Sequence, residues 1–236
     1  MFKVRATIIG AATLLMLSTW VPPGSASHAD NGCSPGTHYN QGARDDDGDN
    51  GEQGVSAEIR VAYPGAPAVG YVRSIFVWLN ADNWVEVGWA WVNGRHSSPR
   101  TIAAWTDAGT YSDMERVTGS LPYAGDLNTY PAFRVVNRSG TSVTWLRNGQ
   151  AIFTRTMTYL NRGNAAGNVE AWARCESAYA HYRNTQEQEQ EGGSWSPWDS
   201  TVRWRVGVQN PCYHTTLVDN TQWYSEHGPD SGETCS

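Results

Sequence analysis

From Gly54 onward the chain is a succession of short runs rich in Val, Ile, Thr, Tyr and Trp, separated by Gly, Asn, Pro and Asp. No stretch holds an apolar stripe at helical spacing for three turns. Side chains along a strand alternate between two faces with a period of two, so this patterning predicts strands and leaves no room for a helical domain. Strands are expected at 54–62, 70–79, 84–92, 100–106, 132–137, 142–147, 150–159, 168–176, 201–209 and 213–218. Asn148-Gly149, between two of these runs, is the pair that a two-residue type I′ hairpin requires. So many short strands hide their apolar faces only by pairing into two antiparallel sheets packed on each other, an all-β architecture.

Ahead of these runs the chain opens on a basic end, Met1 to Arg5, followed by an apolar stretch from Ala6 to about Val21 and a small-residue run, Pro23 to Ser27. This is the pattern of an export signal peptide over residues 1–27, too short in its apolar part for a bilayer anchor. The expected product is secreted and extracellular. The leader carries Lys3, the only lysine, and Arg5, so the mature part is more acidic than the whole chain, whose net charge is −6. An acidic surface without lysine argues against nucleic acid or an anionic membrane as partner and excludes Schiff-base chemistry.

The four cysteines, Cys33, Cys175, Cys212 and Cys235, all follow the leader, contain no CxxC pair and stand in no Cys/His cluster. In an oxidising compartment they read as two disulfides, with three connectivities open. Residues 28–53 are polar and rich in Gly and Asp, and read as a flexible N-terminal segment ahead of a single domain over 54–236. Residues 184–194 read as a low-complexity loop. Asp45, Asp47 and Asp49 have the 1, 3, 5 spacing of a calcium loop, but the sixth position is Asn50 and the twelfth lacks its glutamate, so the run reads as a solvated acidic linker. No metal and no cofactor is expected. The scattered histidines, among them His96, His181, His214 and His227, form no HExxH or Ser/His/Asp pattern.

Two strands carry chemistry. In 84–92, Val85, Val87, Trp89 and Trp91 share the face that must be buried, and Glu86 points the other way beside Trp84. In 168–176, Val169, Ala171, Ala173 and Cys175 share the apolar face, and Glu170, Trp172 and Arg174 share the opposite one. A glutamate in mid-strand is unfavourable unless the face it lies on is a groove floor. Two carboxyls converging there would split their ionisation, one kept as acid and one as base. Glu86 and Glu170 are thus the candidate catalytic pair, with Trp84, Trp172 and Arg174 as candidate substrate contacts. Trp89 is assigned to the core.

The segment Val85-Glu-Val-Gly-Trp89 resembles the Ile-Glu-Ala-Gly-Trp strand that carries a catalytic glutamate in the neprosin family of glutamic peptidases. Ala104-Trp-Thr-Asp-Ala-Gly-Thr-Tyr111 is similar to that family's Tyr-Trp-Thr-Ala-Asp-Gly-Tyr segment, and Gly167-Asn-Val-Glu170 could take the place of its second glutamate strand. Val169-Glu-Ala-Trp172 also loosely resembles the Ala-Glu-Trp motif of the fungal glutamic peptidases. The resemblance implies a concanavalin-like jelly-roll sandwich and an acid-acting peptidase in which Glu86 and Glu170 activate water. Ser112-Asp-Met-Glu115 departs from the family's Gly-Cys-Tyr-Asn, and Asn-Val stands where it has Gly-Gly. Two other functions fit a jelly roll with exposed Trp and Tyr: a non-catalytic carbohydrate-binding module, and a glycoside hydrolase. The expected partner is accordingly a polypeptide or glycan substrate.

Overall fold

A computed structural model describes residues 39–45, 51–61, 70–80, 83–139, 141–158, 163–172, 179–207 and 213–227. The leader, all four cysteines, Arg174, Asp47 and Asp49 lie outside the described residues. The remainder forms two antiparallel sheets packed face to face, the expected jelly-roll-type sandwich. Numbered in chain order, the first sheet contains β1 (Tyr39–Asp45), β3 (Gly70–Asn80), β4 (Asn83–Val92), β5 (Arg100–Asp107), β6 (Thr110–Asp113), β10 (Asn164–Ala171) and β13 (Thr201–Gly207). They lie in the order β13-β1-β10-β3-β4-β5-β6. The second sheet contains β2 (Gly54–Ile59), β7 (Ala132–Ser139), β8 (Ser142–Arg147), β9 (Gln150–Thr156), β11 (Ala180–Gln188), β14 (Tyr213–Asp219) and β15 (Gln222–His227). Its order is β14-β15-β11-β2-β7-β8-β9, with the two-residue β12 (Ser196–Pro197) beside β11. A single turn of helix, α1 (Met114–Thr118), follows β6. It is capped by the Asp113 carboxylate, which accepts from the Arg116 N–H, and is stopped by Gly119 at φ 76°.

The core between the sheets is aromatic. Trp89, Trp105, Trp145, Trp198 and Trp223 are all buried to within 1% of their surface. As the alternation required, Val85, Val87, Trp89 and Trp91 of β4 and Val169 and Ala171 of β10 belong to this core. Arg73 is also wholly buried there, between ring faces of Tyr71 and Trp89. Its guanidinium donates to the carbonyl oxygens of Tyr179 (2.9 Å), Val72 (2.8 Å) and Glu170 (3.0 Å), which is how a cation is accommodated away from water. The last of these bonds ties β10 to β3 beneath Glu170.

Each of the ten expected strands has its counterpart, and the Asn148-Gly149 turn has both residues at positive φ, 49° and 76°, as a type I′ turn demands. Three readings need correction. The segment 28–53 supplies β1, which pairs on one edge with β10 and on the other with β13. Asp45, at its end, is buried rather than part of a solvated linker. The segment 184–194 supplies the second half of β11, where Thr185, Glu187 and Gln188 are buried. A bulge between Arg183 and Gln186, with Asn184 at φ 53°, shifts the side-chain phase so that polar residues face inward and the apolar alternation disappears.

Candidate functional site

Glu86 and Glu170 occupy the face of the first sheet turned away from the core, with β3 between their two strands. Glu86 of β4 is opposite Phe76 of β3, and Glu170 of β10 is opposite Val72. This outer face is a recess rather than a solvated surface, since Glu170, Ser74, Asn168 and Asp113 on it are as buried as core residues and Glu86 is half-buried. Between the two glutamates, Ser74 donates its hydroxyl to Glu86 Oε1, drawing that side chain toward Glu170's side of the sheet. From the opposite sheet the Trp145 indole N–H holds the Glu86 carbonyl oxygen at 2.8 Å, fixing the backbone that presents the carboxyl. Trp172 Nε1 donates to Glu170 Oε1 at 2.7 Å, and its ring lies against Gly70, where a Cβ would be 2.7 Å from it.

Burial pushes the Glu86 carboxyl up to about 7, and the negative charge of Glu170 adds to the rise while the Ser74 hydrogen bond partly opposes it. The two glutamates therefore act on each other electrostatically across β3. Tyr111 joins them. It stands on β6 with its ring 5.9 Å from Trp84 and its hydroxyl donating to Asp113 Oδ2 at 3.3 Å. Burial holds the Tyr111 phenol well above its ordinary value, with the carboxylates of Asp113, Glu86 and Glu170 adding to the rise and Arg116 opposing it. It is a neutral donor throughout the physiological range.

The structure thus brings Glu86, Glu170, Trp84 and Trp172 to one face, as alternation suggested. Trp84 packs on Tyr111, and Trp172 is a hydrogen-bond donor to Glu170 as well as a wall. Ser74, Tyr111, Asp113 and Asn168 belong to the same face and had not been singled out for it. Tyr111 had a signal, since it closes the Ala104–Tyr111 segment, and Ser74 had one in being a small polar residue inside the apolar run of β3. Away from this face, acceptor oxygens of the buried Asp45, Glu52 and Glu187 lie within 4.8 Å of one another. That is the arrangement among the described residues whose donor set would suit a hard cation.

Compared with family models and with curated proteins, the sequence matches none. Its fold matches that of scytalidoglutamic peptidase. One structure of that enzyme, bound to a peptide-based transition-state analogue, superposes with a TM-score of 0.55 at 11% identity over 82% of this chain and 100% of the other. SCP-B, a member of the eqolisin family of peptidases solved with the tripeptide Ala-Ile-His, superposes with a TM-score of 0.52 at 11% identity over 80% and 98%. At these identities the likeness is one of fold.

Proposed function

We propose that this chain is a secreted, acid-acting glutamic peptidase, akin to the neprosin-like proteins, in which Glu86 is the acid and Glu170 the base. The observation that carries the reading is the state of Glu86, whose proton is held up to about 7 by burial and by a second glutamate across one strand. A shielded carboxylic acid beside a carboxylate is the equipment for activating water without a metal. The eqolisin-type neighbours in fold, which are peptidases, support the same choice of bond.

In the proposed reaction a water oxygen bonds to the scissile carbonyl carbon while Glu170 takes one of its protons. Glu86 then gives its proton to the amide nitrogen as the carbon–nitrogen bond breaks and the carbonyl re-forms. The carboxylic acid and amine products leave, and transfer of the proton from Glu170 to Glu86 restores the starting state. Trp84 and Tyr111 flank Glu86 with aromatic surface for the substrate chain. Arg174 remains a candidate contact.

The test is incubation of the mature protein with a denatured, Pro-rich polypeptide from about pH 3 to about pH 8. The expected outcome is cleavage in acid that declines as the pH passes about 7, where Glu86 loses its proton. A protein that cuts no polypeptide but hydrolyses β-glucan is a glycoside hydrolase. One that does neither yet is retained on insoluble polysaccharide is a binding module.

A further inference from the structure

Ladder pairing aligns four residues in one row across β1, β10, β3 and β4: Gly42, Asn168, Ser74 and Gly88. Glu86 stands in the row to one side and Glu170 in the row to the other. Two of these four positions require glycine. A Cβ on Gly42 would lie 1.9 Å from the Gly167 carbonyl oxygen, and one on Gly88 would lie 2.1 Å from that of Arg73. These four positions form a floor with only two side chains on it.

One of these, Ser74, is committed to Glu86. The other, Asn168, is 7% exposed, and its Oδ1 accepts no hydrogen bond. Its main chain is firmly held, because the Tyr182 hydroxyl donates to the Asn168 carbonyl oxygen at 2.6 Å and the Tyr182 ring stacks on Trp223 at 3.8 Å. A carboxamide brings two donors and an acceptor, and burying it unused is costly, so a rigidly mounted one in the row between those of the two glutamates is suited to a bound molecule. Ladder partners place Cβ atoms about 5 Å apart, which sets the Asn168 amide beside Ser74 and one strand residue pair from Glu170.

Resting on the peptidase reading above, we propose that Asn168 is a third catalytic residue. Its Nδ2–H donates to the scissile carbonyl oxygen as that atom becomes an oxyanion. Glu86 and Glu170 move protons, and Asn168 stabilises charge that neither can, a division in which one preorganised donor contributes most in the transition state.

The experiment compares the wild type with Asn168→Ala and the near-isosteric Asn168→Leu. In both, kcat on a denatured polypeptide should fall by about 100-fold or more, the effect of losing one oxyanion donor, with KM changed less than about threefold. Affinity for a phosphinic peptide, a stable mimic of the tetrahedral intermediate, should fall by the same factor as kcat/KM, a parallel that a purely structural role would not produce. In the unsubstituted protein, binding of the same phosphinic peptide should shift the Asn168 side-chain amide signal in an NMR spectrum. An active wild type with undiminished kcat in Asn168→Leu, or no amide shift on binding, overturns the role of Asn168 alone. A wild type that cuts no polypeptide overturns the peptidase reading and this role with it.

Discussion

Ser74 donates to Glu86, and a donor to a carboxyl favours its charged form, so removing that hydroxyl moves the titration in a definite direction. Ser74→Ala should raise the Glu86 value further, and the alkaline fall of activity, or the carboxyl shift followed by NMR, should move to higher pH. A shift to lower pH would contradict the arrangement. Glu86→Gln and Glu170→Gln keep shape and remove the titrating group, so each should lower acid-pH activity by at least about 100-fold. The double variant should cost little more than the worse single one, because residues acting as a unit are not additive. Full activity in Glu86→Gln would remove Glu86 from the mechanism. The same carboxyl affects stability. Its folded value, about 7, lies above the 4.5 of an exposed carboxyl, so its contribution is whole below about pH 4.5 and lost as pH rises through about 7. At about 1.36 kcal/mol per unit the swing is on the order of 2–3 kcal/mol for this half-buried group. Urea unfolding at acid and at mildly alkaline pH should show it in the wild type and not in Glu86→Gln. The orientation of both glutamates was legible in their own strands, since each is out of phase with flanking apolar residues. That Ser74 and Asn168 lie between them was not, because ladder register joins strands distant in sequence.

At the scale of elements, β4 and β8 to β9 follow from local chemistry, by strict alternation in one case and a turn that tolerates positive φ in the other. Strand β1 does not. Its sequence, Tyr-Asn-Gln-Gly-Ala-Arg-Asp, has little strand propensity, and it is a strand because β10 and β13 satisfy both of its edges. Its Gly42, like Gly88 in β4, allows a neighbouring backbone to approach where a side chain would collide. Gly88→Ala would place a Cβ 2.1 Å from the Arg73 carbonyl oxygen, an atom of the backbone that cannot swing aside. The expected loss is of the order of an overpacked core, about 1–3 kcal/mol, read as a lower urea midpoint. An unchanged midpoint would mean that β3 and β4 are not paired as described. Helix α1 was missed because a single capped turn has too few residues to show a stripe.

For the whole molecule, export and oxidation are the remaining expectations. Four cysteines in a secreted sandwich should leave no free thiol without reductant, each bridge stabilising by about 2–4 kcal/mol. Counting thiols with a reactive dye before and after reduction checks this, and two or more free thiols in the native protein would refute it. With Lys3 removed, amine labelling of the mature chain should give a single adduct in a mass spectrum. The sequence by itself determined that the chain is all-β, that it needs two sheets, and which face of its own strand each glutamate occupies. Those properties rest on a two-residue period within one strand, and neighbouring residues are enough to express it. Only the tertiary structure decided that β3 separates the two glutamates, that the row carrying Ser74 and Asn168 lies between theirs, and that burial keeps Glu86 protonated up to about 7. Strand order, register and burial arise from contacts between residues far apart in the chain, and no local pattern encodes them.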